Sequence, residues 1–187
     1  MTNYLMHIIS PSQALDKFSE KEPHPLTLYL IGTIVLAGLS LPKEIAASIN
    51  SPKGLETLIF SLAFIPFVYF PFTYGSGYLF RIIAKGFKGG CTFAEMRNLM
   101  VYAILPFILQ FVISIPFITI GLIKNDAGMI THDNYLSYII LWLLSFRILM
   151  VGIAKYNKFN WTITLLTYFI AITVLGGLGF LLMQLRK

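Results

Sequence analysis

Long apolar runs separated by short polar stretches set the pattern of this chain, and most polar stretches carry helix-start or helix-stop signals. Leu26 to Leu41 holds no charge and is followed by Pro42, which predicts a kinked first helix continuing through Ala47. Ser51-Pro52 pairs a capping residue with a proline suited to a first helical turn. The second run, Leu58 to Phe80, contains Pro66 and Pro71 and is loosened by Gly75-Ser76-Gly77. A third run, Leu99 to Ile123, contains Pro106 and Pro116; a fourth covers Tyr135 to Ala154. Asn160 can cap a fifth, from Trp161 to Met183. At about 1.5 Å per residue these runs suit a hydrocarbon core of roughly 30 Å, the first being slightly short. Membrane helices tolerate such prolines where neighbours satisfy the freed carbonyls.

Ahead of the first run, Ser10-Pro11-Ser12-Gln13 reads as a capping box with proline at the first helical position. Leu15 and Phe18 repeat at helical spacing, with Asp16, Lys17 and Glu20 facing elsewhere, until Pro23 and Pro25. This predicts a short helix on the membrane surface. Met1 to Ser10 lacks the basic and apolar regions of a cleaved signal peptide, so insertion is expected to rely on the first span. The expected fold is an all-α integral membrane protein, a bundle of five transmembrane helices with a short N-terminal interfacial helix. Residues 1–25 form the N-terminal segment and 26–187 the membrane domain, with spans at about 26–47, 56–80, 97–123, 135–154 and 160–184.

Composition agrees. The 187 residues are 57% hydrophobic and 12% charged, where a soluble domain holds roughly a quarter charged residues. The 16 Phe, 10 Tyr and 2 Trp suit lipid-facing and interfacial positions. A net charge of +6 on a soluble protein would point to nucleic acid; here it reads as positive-inside bias and attraction to anionic headgroups. With the N-terminus cytoplasmic, the inner segments hold Lys17, Lys21, Arg81, Lys85, Lys88, Arg97, Lys155 and Lys158. The outer ones hold Lys43, Lys53, Lys124, Arg186 and Lys187, partly offset by Glu44, Glu56, Asp126 and Asp133. The expected orientation is therefore N-terminus in, C-terminus out. Cys91 is the only cysteine and can form no internal disulfide.

Two sets of residues are candidate sites. The stretch Arg81 to Arg97 reads as a basic loop in which Arg81, Lys85, Lys88 and Arg97 face a single Glu95; it could bind anionic lipid or a partner, or be a solvated positive-inside loop. Gly89-Gly90 breaks the backbone there, and Thr92-Phe93-Ala94-Glu95 forms a capping box for the next helix. Gly86 to Gly90 lacks the Gly-Lys-Ser/Thr ending of a phosphate cradle. The second set lies in the membrane. Arg147 sits inside an apolar run, where a charge costs about 2.5–3.5 kcal/mol by insertion scales. It either faces the bundle interior as an anion or headgroup contact, or snorkels towards the Lys155 side, or bonds carbonyls freed by Pro66, Pro71, Pro106 or Pro116. Gln110 and Ser114, one turn apart, and Thr73, Tyr74 and Ser76 either line a solute path or make interhelical hydrogen bonds. Repeated kinks at Ile65-Pro66-Phe67, Leu105-Pro106-Phe107 and Ile115-Pro116-Phe117 echo the broken helices of transporters. His7, His24 and His132 lie apart and outside the spans, and the spans hold no carboxylate pair. No metal site, cofactor or catalytic set is expected.

Gly89-Gly90-Cys91-Thr92-Phe93-Ala94-Glu95-Met96, followed by Tyr102-Ala103-Ile104-Leu105-Pro106-Phe107, resembles the YIP-domain family, the Rab/Ypt-interacting-type membrane proteins and their prokaryotic relatives. The resemblance extends to the Trp142 region, to the basic turn near Lys155 and to the five-span layout. It implies a cytoplasmic N-terminus and residence in an inner or internal membrane. The short segment before the first span sets the chain apart from members with long cytoplasmic N-terminal regions and points to a prokaryotic-type member. The expected function is a non-enzymatic, membrane-organising or trafficking-type adaptor acting through the basic loop. The alternative is a small-solute or ion transporter or channel with a polar cavity near Arg147. Expected partners are anionic membrane lipids and a second copy or other membrane proteins, with no nucleic acid.

Overall fold

The structure is a computed structural model and describes residues 10–13, 15, 25–49, 54–131 and 135–185. All regular elements among them are helical. In chain order they are α1 (Pro25–Ile49), α2 (Gly54–Gly86), α3 (Phe93–Ile104), a 3₁₀ turn (Leu105–Phe107), α4 (Ile108–Lys124), α5 (Ala127–Ile130), α6 (Tyr135–Asn157) and α7 (Trp161–Leu185).

Among the described residues four segments are long and apolar enough to cross a membrane: Leu30–Ile49, Phe93–Lys124, Leu136–Asn157 and Trp161–Leu178. The chain is an all-helical membrane protein. The apolar pattern predicts five crossings, and the difference lies in α2. That helix has 33 residues, and the apolar stretch described within it, Leu58–Phe67, is shorter than a span. Pro42 and Pro116 are carried inside continuous helices. Pro106 behaves differently. Lacking an N–H and crowding the carbonyl one turn back, it tightens the chain into the buried 3₁₀ turn that separates α3 from α4.

The chain divides into two compact units. One comprises Pro23–Phe70 and Ala103–Ser145. Here the end of α1 packs on α4 and α5 through buried Ala46, Ile118 and Ile130, with Ile45, Ile49 and Ala127 around them. Glycines permit the close approaches: a Cβ on Gly121 would meet Ile130 Cγ1 at 2.3 Å, and one on Gly38 would meet the Phe111 ring at 2.9 Å. Ser145 Oγ donates to the Ala103 carbonyl near the proline-tightened turn.

The other unit comprises Met1–Glu22, Pro71–Tyr102 and Phe146–Lys187. Its interior contains Phe80, Met96, Leu99, Met150, Ile153 and Tyr168. Gly152 lies against Leu99, and Gly77 approaches the Arg97 backbone at 3.0 Å, so α3 packs closely on both α6 and α2. Phe146 meets the Tyr168 ring edge-on at 5.0 Å. Buried Thr164 and Thr167 bond back to the carbonyls of Asn160 and Ile163. Of the predicted surface helix, Pro11–Gln13 and Leu15 are helical. Leu15 is buried, and Lys155 Nζ donates to the Ser12 carbonyl. Residues 16–24, the Ser51-Pro52 helix start, His7, His132, Asp133 and the C-terminal Arg186-Lys187 lie outside the described residues.

Candidate functional site

The basic stretch read as a loop from Arg81 to Arg97 is loop only at 87–92. Ile82, Ile83 and Ala84 contain no breaker and extend α2 to Gly86, so Arg81 and Lys85 are helical residues. Lys85 in the last turn meets the negative end of the helix dipole. The helix then closes with a pair of reverse hydrogen bonds, Lys88 N–H to Lys85 O at 2.9 Å and Gly89 N–H to Ala84 O at 2.8 Å. This places Lys88 at φ 63°, in the left-handed region.

The end of α6 repeats the design. Lys158 N–H donates to Lys155 O at 3.3 Å and Phe159 N–H to Ala154 O at 2.9 Å, with Lys158 at φ 56°. A non-glycine residue there costs roughly 1–2 kcal/mol unless its side chain is as accommodating as asparagine's. Lysine is not.

These two turns interlock. A Cβ on Gly89 would meet Asn157 Oδ1 at 2.3 Å, Phe159 Cζ at 2.8 Å and the Ala84 carbonyl at 2.9 Å, so only glycine fits. Asn157 is buried; its Oδ1 accepts from Cys91 N–H at 3.2 Å and its Nδ2 donates to Ile153 O at 2.9 Å. Beyond Cys91 the capping box is reciprocal: Thr92 N–H donates to Glu95 Oε2 at 2.7 Å and Glu95 N–H to Thr92 Oγ1 at 3.2 Å. Asn160 caps α7 through Ile163 N–H at 2.9 Å. Burial, reinforced by the Glu95 charge, pushes the Cys91 thiol up from its ordinary range against the opposing pull of Asn157 and Arg81.

The predicted site residues separate accordingly. Lys85 and Lys88 are exposed and Arg81 is half-buried, its Nε buried with no hydrogen-bond partner among the described residues. Arg97 leaves the basic group: it lies in α3, its guanidinium 5.4 Å from the centroid of the Tyr74 ring and bonded to Asn98 Oδ1 at 3.1 Å. The same Tyr74 ring packs on Phe93 at 5.8 Å. One residue of each predicted set thus forms a single cation–aromatic contact between α2 and α3. Gln110 Oε1 accepts from Ser137 Oγ at 2.7 Å, an interhelical bond between α4 and α6, and Ser114 Oγ returns to the Phe111 carbonyl. Arg147 sits mid-way along the Leu136–Asn157 segment on an exposed side of α6. Gln110 and Ser114 belong to one unit, Tyr74 and Arg147 to the other. Among the described residues no three His, Cys, Asp or Glu side chains gather as a metal site.

Asn157 is the residue that sequence reasoning passed over. It stands in the basic turn after the fourth apolar run with no local signal of its role, because the partner it holds is 66 residues away.

Helices of membrane-spanning length joined by a glycine-pinned basic turn define a multi-pass helical membrane protein. The Yip1 domain family matches residues 6–183, nearly the whole chain, and the protein belongs to that family. Searches of curated proteins and of solved structures find no match.

Proposed function

We propose that this Yip1-family protein is a non-enzymatic, membrane-organising adaptor of trafficking type that engages its partners through the basic turn between α2 and α3. The observation that carries this reading is the way the turn is tied to the end of α6. Gly89 and Cys91 are fixed against Asn157, while Lys85 and Lys88 remain exposed beside them. A preorganised cationic surface loses little entropy on binding. Its partners are anionic headgroups in the first place, with a second copy or another membrane protein as the protein ligand. In this reading α2 is a fifth crossing and the N-terminal segment is interfacial. The N-terminus is cytoplasmic, the C-terminus is outside, and the host membrane is a prokaryotic inner membrane. The Lys/Arg distribution supports that orientation. The alternative, a solute path around Arg147, rests on the charge within the span alone.

Two measurements test this. With Lys88→Cys in a Cys91→Ser background, a membrane-impermeant maleimide should label inverted vesicles and spare intact spheroplasts; labelling from outside overturns the orientation. The Arg81→Gln/Lys85→Gln/Lys88→Gln variant should lose co-purifying anionic lipid or membrane partners. Unchanged co-purification removes the turn as the contact surface.

A further inference from the structure

Lys88 and Lys158 occupy the two left-handed non-glycine positions among the described residues of this unit, at φ 63° and 56°, and both side chains are exposed. Each is one residue from the Gly89–Asn157 contact, where a Cβ would come within 2.3 Å of the amide oxygen. Their Cα atoms therefore lie within roughly 15 Å of each other, given 3.8 Å between consecutive Cα atoms. Two lysine side chains starting that far apart can reach one anion. Neither turn contains an acidic residue of its own. The nearest carboxylate in sequence, Glu95, is engaged by Thr92 through its N–H and its hydroxyl.

The level of this pair in the membrane can also be read. Trp161, three residues beyond Lys158, is 61% exposed, and tryptophan on a membrane helix marks the headgroup region. On α2, Tyr78 and Ile82 are exposed apolar positions just before Lys85. The two lysines thus lie where apolar, lipid-facing helix surface gives way to polar turns.

We infer that Lys88 and Lys158 form a clamp for one phosphate group, that of an anionic phospholipid in the adjoining leaflet. This rests on the adaptor reading above and specifies its ligand and a second lysine, Lys158, which the α2–α3 turn alone does not contain. Lysine serves as a compact point charge for phosphate, and its placement in a backbone conformation that glycine would occupy without strain is the local cost of putting two such charges side by side.

Glycine substitution separates the charge from the fold, because Lys88→Gly and Lys158→Gly remove the ammonium groups while relieving the backbone. The full chain is purified into nanodiscs of phosphatidylglycerol and phosphatidylcholine, and retained lipid is read by native mass spectrometry. Wild type should retain phosphatidylglycerol preferentially. Each single variant should weaken that retention about fivefold and the double variant about 25-fold, while the melting temperature rises by about 2–4 °C per site. Lys85→Gln should change retention less than either.

A double variant that keeps wild-type phosphatidylglycerol retention overturns the clamp. If retention survives there but is lost in Arg81→Gln/Lys85→Gln, the clamp is wrong and the basic-turn reading stands. Wild type with no preference for phosphatidylglycerol overturns both. Inorganic phosphate, titrated as competitor in lipid-depleted detergent, separates the sources: saturable binding at micromolar phosphate that needs both lysines reassigns the site to a soluble anion and overturns the lipid assignment.

Discussion

The turn after α2 and the turn after α4 close their helices by the same pair of hydrogen bonds and differ in what stands in the left-handed position. After α4 it is Asn125 at φ 52°, with Asp126 N–H bonded to Gly121 O at 2.8 Å. Everything that turn needs lies within a few residues. The Asp126 carboxylate caps α5 through Gly128 N–H at 2.9 Å, and Gly121 accommodates Ile130. After α2 the position is taken by Lys88, a residue with no side-chain compensation for it. There the turn is held from a distance, by Asn157 at the end of α6. One turn is specified by local chemistry and the other by a tertiary tie, which frees its left-handed residue to carry charge.

That contrast fails first if Asn157 is dispensable. Asn157→Ala leaves Cys91 N–H buried without its acceptor and should cost about 2–3 kcal/mol, measured by thermal unfolding in detergent. The Asp126→Ala change, which removes only a local cap, should cost about 1 kcal/mol. Equal losses would show that the α2 turn needs no long-range tie.

Next in size is the glycine pair of the motif. Gly89→Ala forces its new methyl into Asn157, Phe159 and the Ala84 carbonyl and should destabilise by about 1–3 kcal/mol. Gly90→Ala, with nothing within 4 Å of its Cβ position, should stay within about 0.5 kcal/mol. Smaller still, and opposite in sign, Lys88→Gly should stabilise by about 1 kcal/mol against only a few tenths for Asn125→Gly. A gain at Asn125 as large as that at Lys88 would erase the distinction between the two turns.

The smallest effect is kinetic. Since burial holds the Cys91 thiol above its ordinary range, the neutral form persists to higher pH than in a free cysteine. Maleimide labelling should therefore be slow near neutrality and accelerate only under more alkaline conditions than for an exposed cysteine such as Lys88→Cys. Equal pH profiles for the two positions would mean that Cys91 is not shielded by the turn.

The features legible in the sequence are those whose causes lie within one helical turn. The Thr92–Glu95 box and the Asn160 cap are reciprocal contacts over three residues, and the apolar runs locate the helices. For Arg81 and Lys85 the charge density predicts a loop, whereas the chain contains no breaker before Gly86 and stays helical. The pairing of Arg97 with Tyr74 depends on Gly77 letting α2 and α3 approach. The side on which Arg147 lies depends on which face of α6 is covered by neighbours, and a nearly uniform apolar run does not encode that.

Membrane residence, helical class and family membership follow from the sequence itself, since the partitioning of apolar runs and the local capping rules act residue by residue. What tertiary structure alone decided is how the motif works. It set Gly89 against an asparagine at the end of another helix, one residue from each of two left-handed lysines. The physical reason is that a hydrogen bond spanning 66 residues costs chain entropy that only the packing of α2, α3 and α6 offsets.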